Sequence, residues 1–285
     1  MKLSDIYNIA DELAPKRLSD EICSTLGWYD NSGILIDVGE DIKGVVCSLD
    51  LSLAAIDDAI ERGANLIITH HPAIFGKLNR ILYDDESLVG GKLVKCIRKG
   101  ISVISMHLNL DLAPGGTDES LMNGVYLAAC VGSEKKETEG ADMRSPNFYG
   151  QPVATMNTFS GGAYGRVYNV PETKLKTLAE GMEKLFGNGR VSVYGDREEK
   201  IKRVASFCGA GADESAIAFA KKHGADVLVS SDFKHHVLSL AAELGVAVVT
   251  LTHYASEHYG FKKYYEKIRQ RLEIPCAYHT DENLL

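Results

Sequence analysis

Val45-Val46-Cys47-Ser48-Leu49 and, one helical stretch later, Asn65-Leu66-Ile67-Ile68-Thr69-His70-His71-Pro72 decide how this chain folds. Two apolar runs of strand length, separated by a helical pattern from Leu51 to Arg62, make a βαβ unit, the building block of a parallel sheet. The alternation continues with a helix expected around Leu88 to Arg98 and a strand at Ile101 to Met106. Gly63 and Gly100 stand just before strands, where a helix C-terminus favours a residue that tolerates positive φ. Further on, Pro171 is read as opening an amphipathic helix to about Phe186, with strands near Arg190 to Tyr194 and Arg203 to Cys208. Lys135 to Gly140 is charged and Tyr149 to Gly165 mixes Gly, Pro and Thr, which places a domain junction or surface excursion there.

The C-terminal third repeats the first. Residues 44–69 lie over residues 205–230 without a gap, with identities at Cys47/Cys208, Ala55/Ala216, Ile56/Ile217, Ala59/Ala220, Gly63/Gly224 and Ala64/Ala225. The βαβ units therefore read as duplicated. His70-His71 then corresponds to Ser231-Asp232, and the strands that follow end in His107-x-x-x-Asp111 and His253-x-x-x-Glu257.

Composition sets the outer limits. A chain of 285 residues, 45% hydrophobic and 25% charged, is an ordinary globular protein of two domains or one large α/β unit. Its formal net charge of -8 weighs against nucleic acid or an anionic membrane as a partner. No apolar run approaches the roughly 20 residues that span a bilayer. Met1 to Asp5 leads straight into a polar helical pattern, so no signal peptide is expected and the cytoplasm is the expected compartment. The six cysteines form no Cys-x-x-Cys pair, which argues against a disulfide framework or a thiolate zinc site.

Metal chemistry follows from where the histidines fall. Ligands of open α/β sheets bind beyond the carboxyl ends of strands. Thr69-His70-His71-Pro72, His107-Leu108-Asn109-Leu110-Asp111 and His253-Tyr254-Ala255-Ser256-Glu257 each follow an apolar run that reads as a buried parallel strand. Together they offer imidazole nitrogens and carboxylate oxygens, the mixed donors preferred by Zn²⁺, Fe²⁺ or Mn²⁺. Adjacent histidines on an extended strand point to opposite faces, but Pro72 turns the chain into a loop, so the two rings can serve neighbouring metals. If a helix begins at His253, the interval to Glu257 puts both side chains on one face; an ordinary dipole-complementing Glu fits equally. His107 and Asp111 lie in a Gly- and Pro-rich loop that does not fix their geometry, and Asp111 can instead bond loop amides.

With these segments, Trp28-Tyr29-Asp30-Asn31-Ser32-Gly33, Cys208-Gly209-Ala210-Gly211 and Ser231-Asp232-Phe233-Lys234-His235-His236, the chain resembles the Nif-three-like dinuclear-metal proteins, homologues of GTP cyclohydrolase I type 2. The resemblance implies two intertwined, structurally similar three-layer α/β domains with duplicated βαβ units, here 1–130 plus about 235–285 and about 131–234, in the short form without an inserted middle domain. It implies a homohexameric ring and two divalent metal ions (Zn, Fe or Mn) held by His70, His71, Asp111, His253 and Glu257. This chain departs from the family in having Ser231 where Gly is common, which bears on the close backbone approach there. Five ligands exceed the needs of one tetrahedral site with an open position but suit two ions sharing a bridge, which lower the pKa of a bound water. His107, Asp232 and His236 are then candidates for holding a ligand's tautomer or moving a proton, or for plain strand-end hydrogen bonding.

Other features carry less. Cys208-Gly209-Ala210-Gly211 lacks the dinucleotide fingerprint and a Walker lysine, so it reads as a tight strand-to-helix turn rather than a phosphate cradle. Tyr259 to Tyr265 reads as a helix with its aromatic face inward rather than a base-stacking segment. His223 and His279 receive no role. The expected function is a dinuclear metal-dependent hydrolase, possibly of GTP cyclohydrolase type, acting on a nucleotide. The alternatives are a dinuclear phosphoesterase and a non-catalytic hexameric scaffold or regulatory protein.

Overall fold

The computed structural model describes residues 1–83, 85–131, 152–187 and 190–285. Lys135 to Gly140 and residues 149–151 lie outside the described residues. The chain forms two compact units, Met1–Gly116 with Phe159–Gly162 and Phe261–Glu282, and Thr117–Thr158 with Ala163–Gly260 and Asn283–Leu285.

The first unit begins with α1 (Leu3–Leu13), α2 (Lys16–Leu26) and β1 (Gly33–Ile36). The expected βαβ series follows as β2 (Val45–Ser48), α3 (Leu53–Glu61), β3 (Leu66–Thr69), α4 (Val89–Arg98), β4 (Ser102–Ser105) and the short helix α5 (Leu108–Leu112). Strands β2, β3 and β4 are every one buried throughout, as parallel strands covered on both faces must be. Alternate residues Val46, Ile67 and Val103 share a core with Ile56 and Ala59 of α3 and Leu93 and Cys96 of α4. Each such buried aliphatic contributes about 1.5–3 kcal/mol relative to exposure. The Ser52 hydroxyl caps α3 by accepting from Ala55 N–H, and Gly63, at φ +67°, lets the chain turn from helix to strand.

The second unit contains α6 (Thr117–Val131), β5 (Ala154–Phe159), β6 (Gly162–Lys174), α7 (Leu175–Phe186), β7 (Ser192–Tyr194) and β8 (Lys200–Ser206). It continues with α8 (Glu214–Lys222), β9 (Val227–Ser230), α9 (His235–Glu243), β10 (Ala247–Thr250) and the first half of α10 (His253–Arg269). The end of α10 and β11 (Cys276–Tyr278) belong to the first unit. The strand orders are β1-β4-β3-β2-β11 and β5-β6-β8-β9-β10-β7. Parallel neighbours occupy the centre of each sheet, and β1, β6 and β7 join antiparallel. Residues 235–260, grouped with the first domain by sequence, lie in the second unit because β10 extends its sheet beside β9.

Pro171 does not open a helix. It lies inside β6, where the register with β8 breaks between Asn169 and Thr173, and helix α7 starts only at Leu175. A residue without an N–H is tolerated at such an irregularity of the ladder.

The duplication is real for helix and second strand but not for the first strand. α3 and α8 are both nine residues long, and Ser52 and Asp213 cap them alike. Cys47 pairs with Ile68, however, and Ser206 pairs with Val229, so the counterpart of Cys47 is Ser206 rather than Cys208. Counted from the register-equivalent positions Ser48 and Phe207, the connection to the cap is three residues (49–51) in the first unit and five (208–212) in the second. The helices after the third strands begin at Leu108 and at His253, each three residues past the strand end, so the two His-x-x-x-acid motifs are offset by one position. Among the described residues no helix is long and apolar enough to cross a membrane.

Candidate metal centre

In the first unit the strand ends gather histidines. The carbonyl of Leu49 accepts from His70 N–H at 3.1 Å and His71 N–H at 3.0 Å, folding the chain over directly after β3. Thr69 Oγ1 donates to His71 O at 2.7 Å and lies 2.7 Å from Ser105 Oγ, so hydroxyls from β3 and β4 clamp the turn. The rings of His70 and His71 stand 5.0 Å apart, both on the cluster side. His107 is the residue before α5; its N–H donates to Ser32 Oγ at 3.0 Å. One ring nitrogen from each of His70, His71 and His107 lies within 4.8 Å of the others.

The Nδ1 atoms are spoken for. His70 Nδ1 donates to the Met106 carbonyl, His71 Nδ1 faces Asp50 Oδ1, and His107 Nδ1 faces Asp30 Oδ1, each at 2.7 Å. Burial pushes the Asp30 carboxyl up, but hydrogen bonds from His107, Ser19 and Ser32 outweigh it and hold the carboxyl well below the usual carboxylate range. Asp30 therefore stays ionised and keeps a proton on His107 Nδ1. Such outer acceptors fix the tautomer of a metal-binding histidine and aim its Nε2.

The second unit offers a helix-borne pair. His253 opens α10, and His253 Nε2 lies 3.1 Å from Glu257 Oε2 one turn on. Asp232 holds the ring from behind, Oδ2 to Nδ1 2.5 Å. Asp232 has φ +55°, the one non-glycine positive φ among the described residues, a conformation that Asp tolerates better than most side chains. Beneath the pair runs Gly209, φ +57°, where a Cβ would overlap Glu257 Oε1 and lie 3.3 Å from His253 Nε2. Gly209 N–H donates to Ser256 Oγ at 3.0 Å, and its carbonyl accepts from Ser231 Oγ at 2.5 Å. Ser231, in the position that the resemblance assigns to Gly, is thus accommodated by hydrogen bonding to the close backbone rather than by lacking a side chain.

These donors fit a metal. His70 Nδ1 faces a carbonyl, which can only accept, so the neutral ring carries its lone pair on Nε2. That Nε2 lies 3.4 Å from Asp111 Oδ1, with the His70 ring fully buried. The His253–Glu257 pair repeats the pattern within the second unit. A nitrogen lone pair and a carboxylate oxygen directed at one another repel unless a proton or a cation lies between them. Nitrogen and oxygen donors of this kind suit zinc, iron or manganese.

Each unit gathers a set of the sequence-predicted residues. His70, His71, His107 and Asp111 come together in the first unit, and α5, which begins directly after His107, carries Asp111 where a loop was expected. His253, Glu257 and Asp232 come together in the second. His236 stays outside: it is exposed on α9 with Nε2 2.9 Å from Glu214. Sequence reasoning missed Asp50, whose only signal was its place just past a strand end, gave Asp30 no role, and read Gly209 only as part of a tight strand-to-helix turn.

Comparison with known proteins follows the same lines. Duf34/NIF3 (NGG1p interacting factor 3) matches residues 1–281. A protein of Clostridium perfringens named GTP cyclohydrolase 1 type 2 homolog is 30% identical over 277 residues, 96% of this chain and 93% of its own. The Staphylococcus aureus protein SA1388 has a TM-score of 0.76 at 26% identity, covering 99% of this chain and 97% of that one. Reduced HcgD from Methanocaldococcus jannaschii has a TM-score of 0.74, also at 26% identity, covering 98% and 97%.

Proposed function

The chain belongs to the Duf34/NIF3 family, and from that membership and the donor geometry we propose that it is a dinuclear metal-dependent hydrolase acting on a nucleotide. The observation that carries the proposal is the shared bracing of four histidines: each has an oxygen acceptor at Nδ1, and two face a carboxylate at Nε2. In this reading the chain holds two divalent ions, with His70, His71 and Asp111 as the donors of the first unit and His253 and Glu257 as those of the second. Bound ions of this kind supply an activated water and a Lewis acid.

The remaining steps belong to the chain. Asp50 and Asp232 hold His71 and His253 with Nε2 forward, and the Met106 carbonyl does the same for His70. His107, whose Nδ1 proton is kept by Asp30, moves a proton at Nε2 to or from the substrate. The names of the relatives support GTP as the nucleotide, and the reaction proposed is hydrolytic opening of its imidazole ring at C8 with loss of formate. Assembly into a homohexamer is part of the same proposal, read directly by the mass of the particle in solution.

The test is a panel assay on metal-reconstituted protein. Formate released from GTP, lost in His253→Ala and Glu257→Ala, supports the proposal. Phosphate release would move the reading to a phosphoesterase, and silence across the panel to a scaffold. Activity retained in both variants would place the chemistry elsewhere.

A further inference from the structure

Phe75 is 71% exposed, the most exposed of the chain's large hydrophobic side chains among the described residues. Its surroundings are nevertheless fixed. The Tyr29 ring stands T-shaped to it at 6.3 Å and 85°, and the His107 ring at 6.3 Å and 81°. The backbone on either side is tied down: Asn31 Nδ2 donates to Ile74 O at 2.8 Å, and the Tyr29 hydroxyl to Gly76 O at 3.4 Å. An aromatic ring held out in water forgoes the free energy of burial. Two T-shaped contacts position the ring while most of its surface stays exposed, and an exposed, pre-positioned aromatic ring is what a planar ring stacks on. His107, in contact with Phe75, belongs to the histidine cluster, so a ring seated there would lie beside the metal donors.

We infer that Phe75, positioned by Tyr29 and His107, is the stacking seat for a planar heteroaromatic ring of the substrate. The inference rests on the proposed reading of this cluster, and it adds which part of the ligand the first unit recognises. Because stacking needs no metal, the two claims can fail separately.

The experiment is a calorimetric titration of the full chain with guanosine, in metal-loaded and chelator-treated forms. Emission from Trp28, the chain's single tryptophan and the neighbour of Tyr29, gives a second readout. The wild type should bind guanosine in both forms. Phe75→Leu, which keeps an apolar side chain but removes the π face, should weaken binding about tenfold, and Phe75→Trp should restore it. Guanosine bound equally well by Phe75→Leu, or not bound by the wild type, overturns the inference. So does a Phe75→Leu variant that changes only the oligomeric state, which would make the ring a subunit contact. Ring binding without any metal uptake would leave the seat standing and remove the metal reading.

Discussion

The strand ends of the two units use one scaffold in opposite ways. In both, the loop after the first parallel strand turns its carbonyl toward the residues that follow the second: Leu49 O accepts from His70 and His71, Gly209 O from Ser231. In the first unit this loop is short and carries Asp50, which braces His71, and the donors come from separate segments. In the second it is two residues longer and passes under a single helical turn that carries both His253 and Glu257. A helix supplies donor spacing locally, whereas the loop-borne cluster depends on contacts made across the sequence, such as Asp30 with His107.

That contrast predicts unequal costs of substitution. The largest is expected for His70→Ala, which empties a fully buried position and should cost about 2–4 kcal/mol as well as metal. His253→Ala, at a partly exposed helix start, should lose metal for about 1 kcal/mol or less. Equal losses of stability in denaturant unfolding would break the comparison. Next comes Asp30→Asn, expected to cost about 1–3 kcal/mol at neutral pH, the worth of a buried charged hydrogen-bonding partner. Because the folded carboxyl titrates below its ordinary value of 3.8, its contribution is present above that value and is lost as pH falls toward the folded one. The variant should therefore be less stable than the wild type at pH 7 and converge with it in acid; a constant gap across the acid titration would contradict this.

Gly209→Ala sharpens the second-unit side. A β-carbon there meets left-handed backbone and the Glu257 carboxylate, so a loss of about 1–2 kcal/mol and weaker metal binding are expected. Smaller still in stability, Asp50→Asn and Asp232→Asn should each weaken metal affinity about 10–100-fold, read by competition with a chelating dye. His236→Ala, which removes only an exposed contact to Glu214, should leave metal content unchanged and stability within about 0.5 kcal/mol.

Much of this was legible in the chain. Short Val- and Ile-rich runs between amphipathic stretches gave the parallel strands, and the strand-end rule located the histidines, because both signals are local. The helical interval from His253 to Glu257 was legible for the same reason. Asp50 was not: one acidic residue after a strand has the composition of any loop until the fold brings His71 to it. The ungapped repeat put Cys47 over Cys208 because an insertion between strand and helix leaves no mark in helix periodicity. Pro171 was read by its helix-start preference, yet the irregularity in β6 that accepts it is set by pairing with β8.

The central claim is that the donors of each unit bind metal. It is tested most directly by anomalous diffraction from crystals of the metal-reconstituted protein. Anomalous peaks at Nε2 of His70 and His71 with the Asp111 carboxylate, and at Nε2 of His253 with the Glu257 carboxylate, are the predicted result. Density for no metal, or for ions bound away from these side chains, would contradict it.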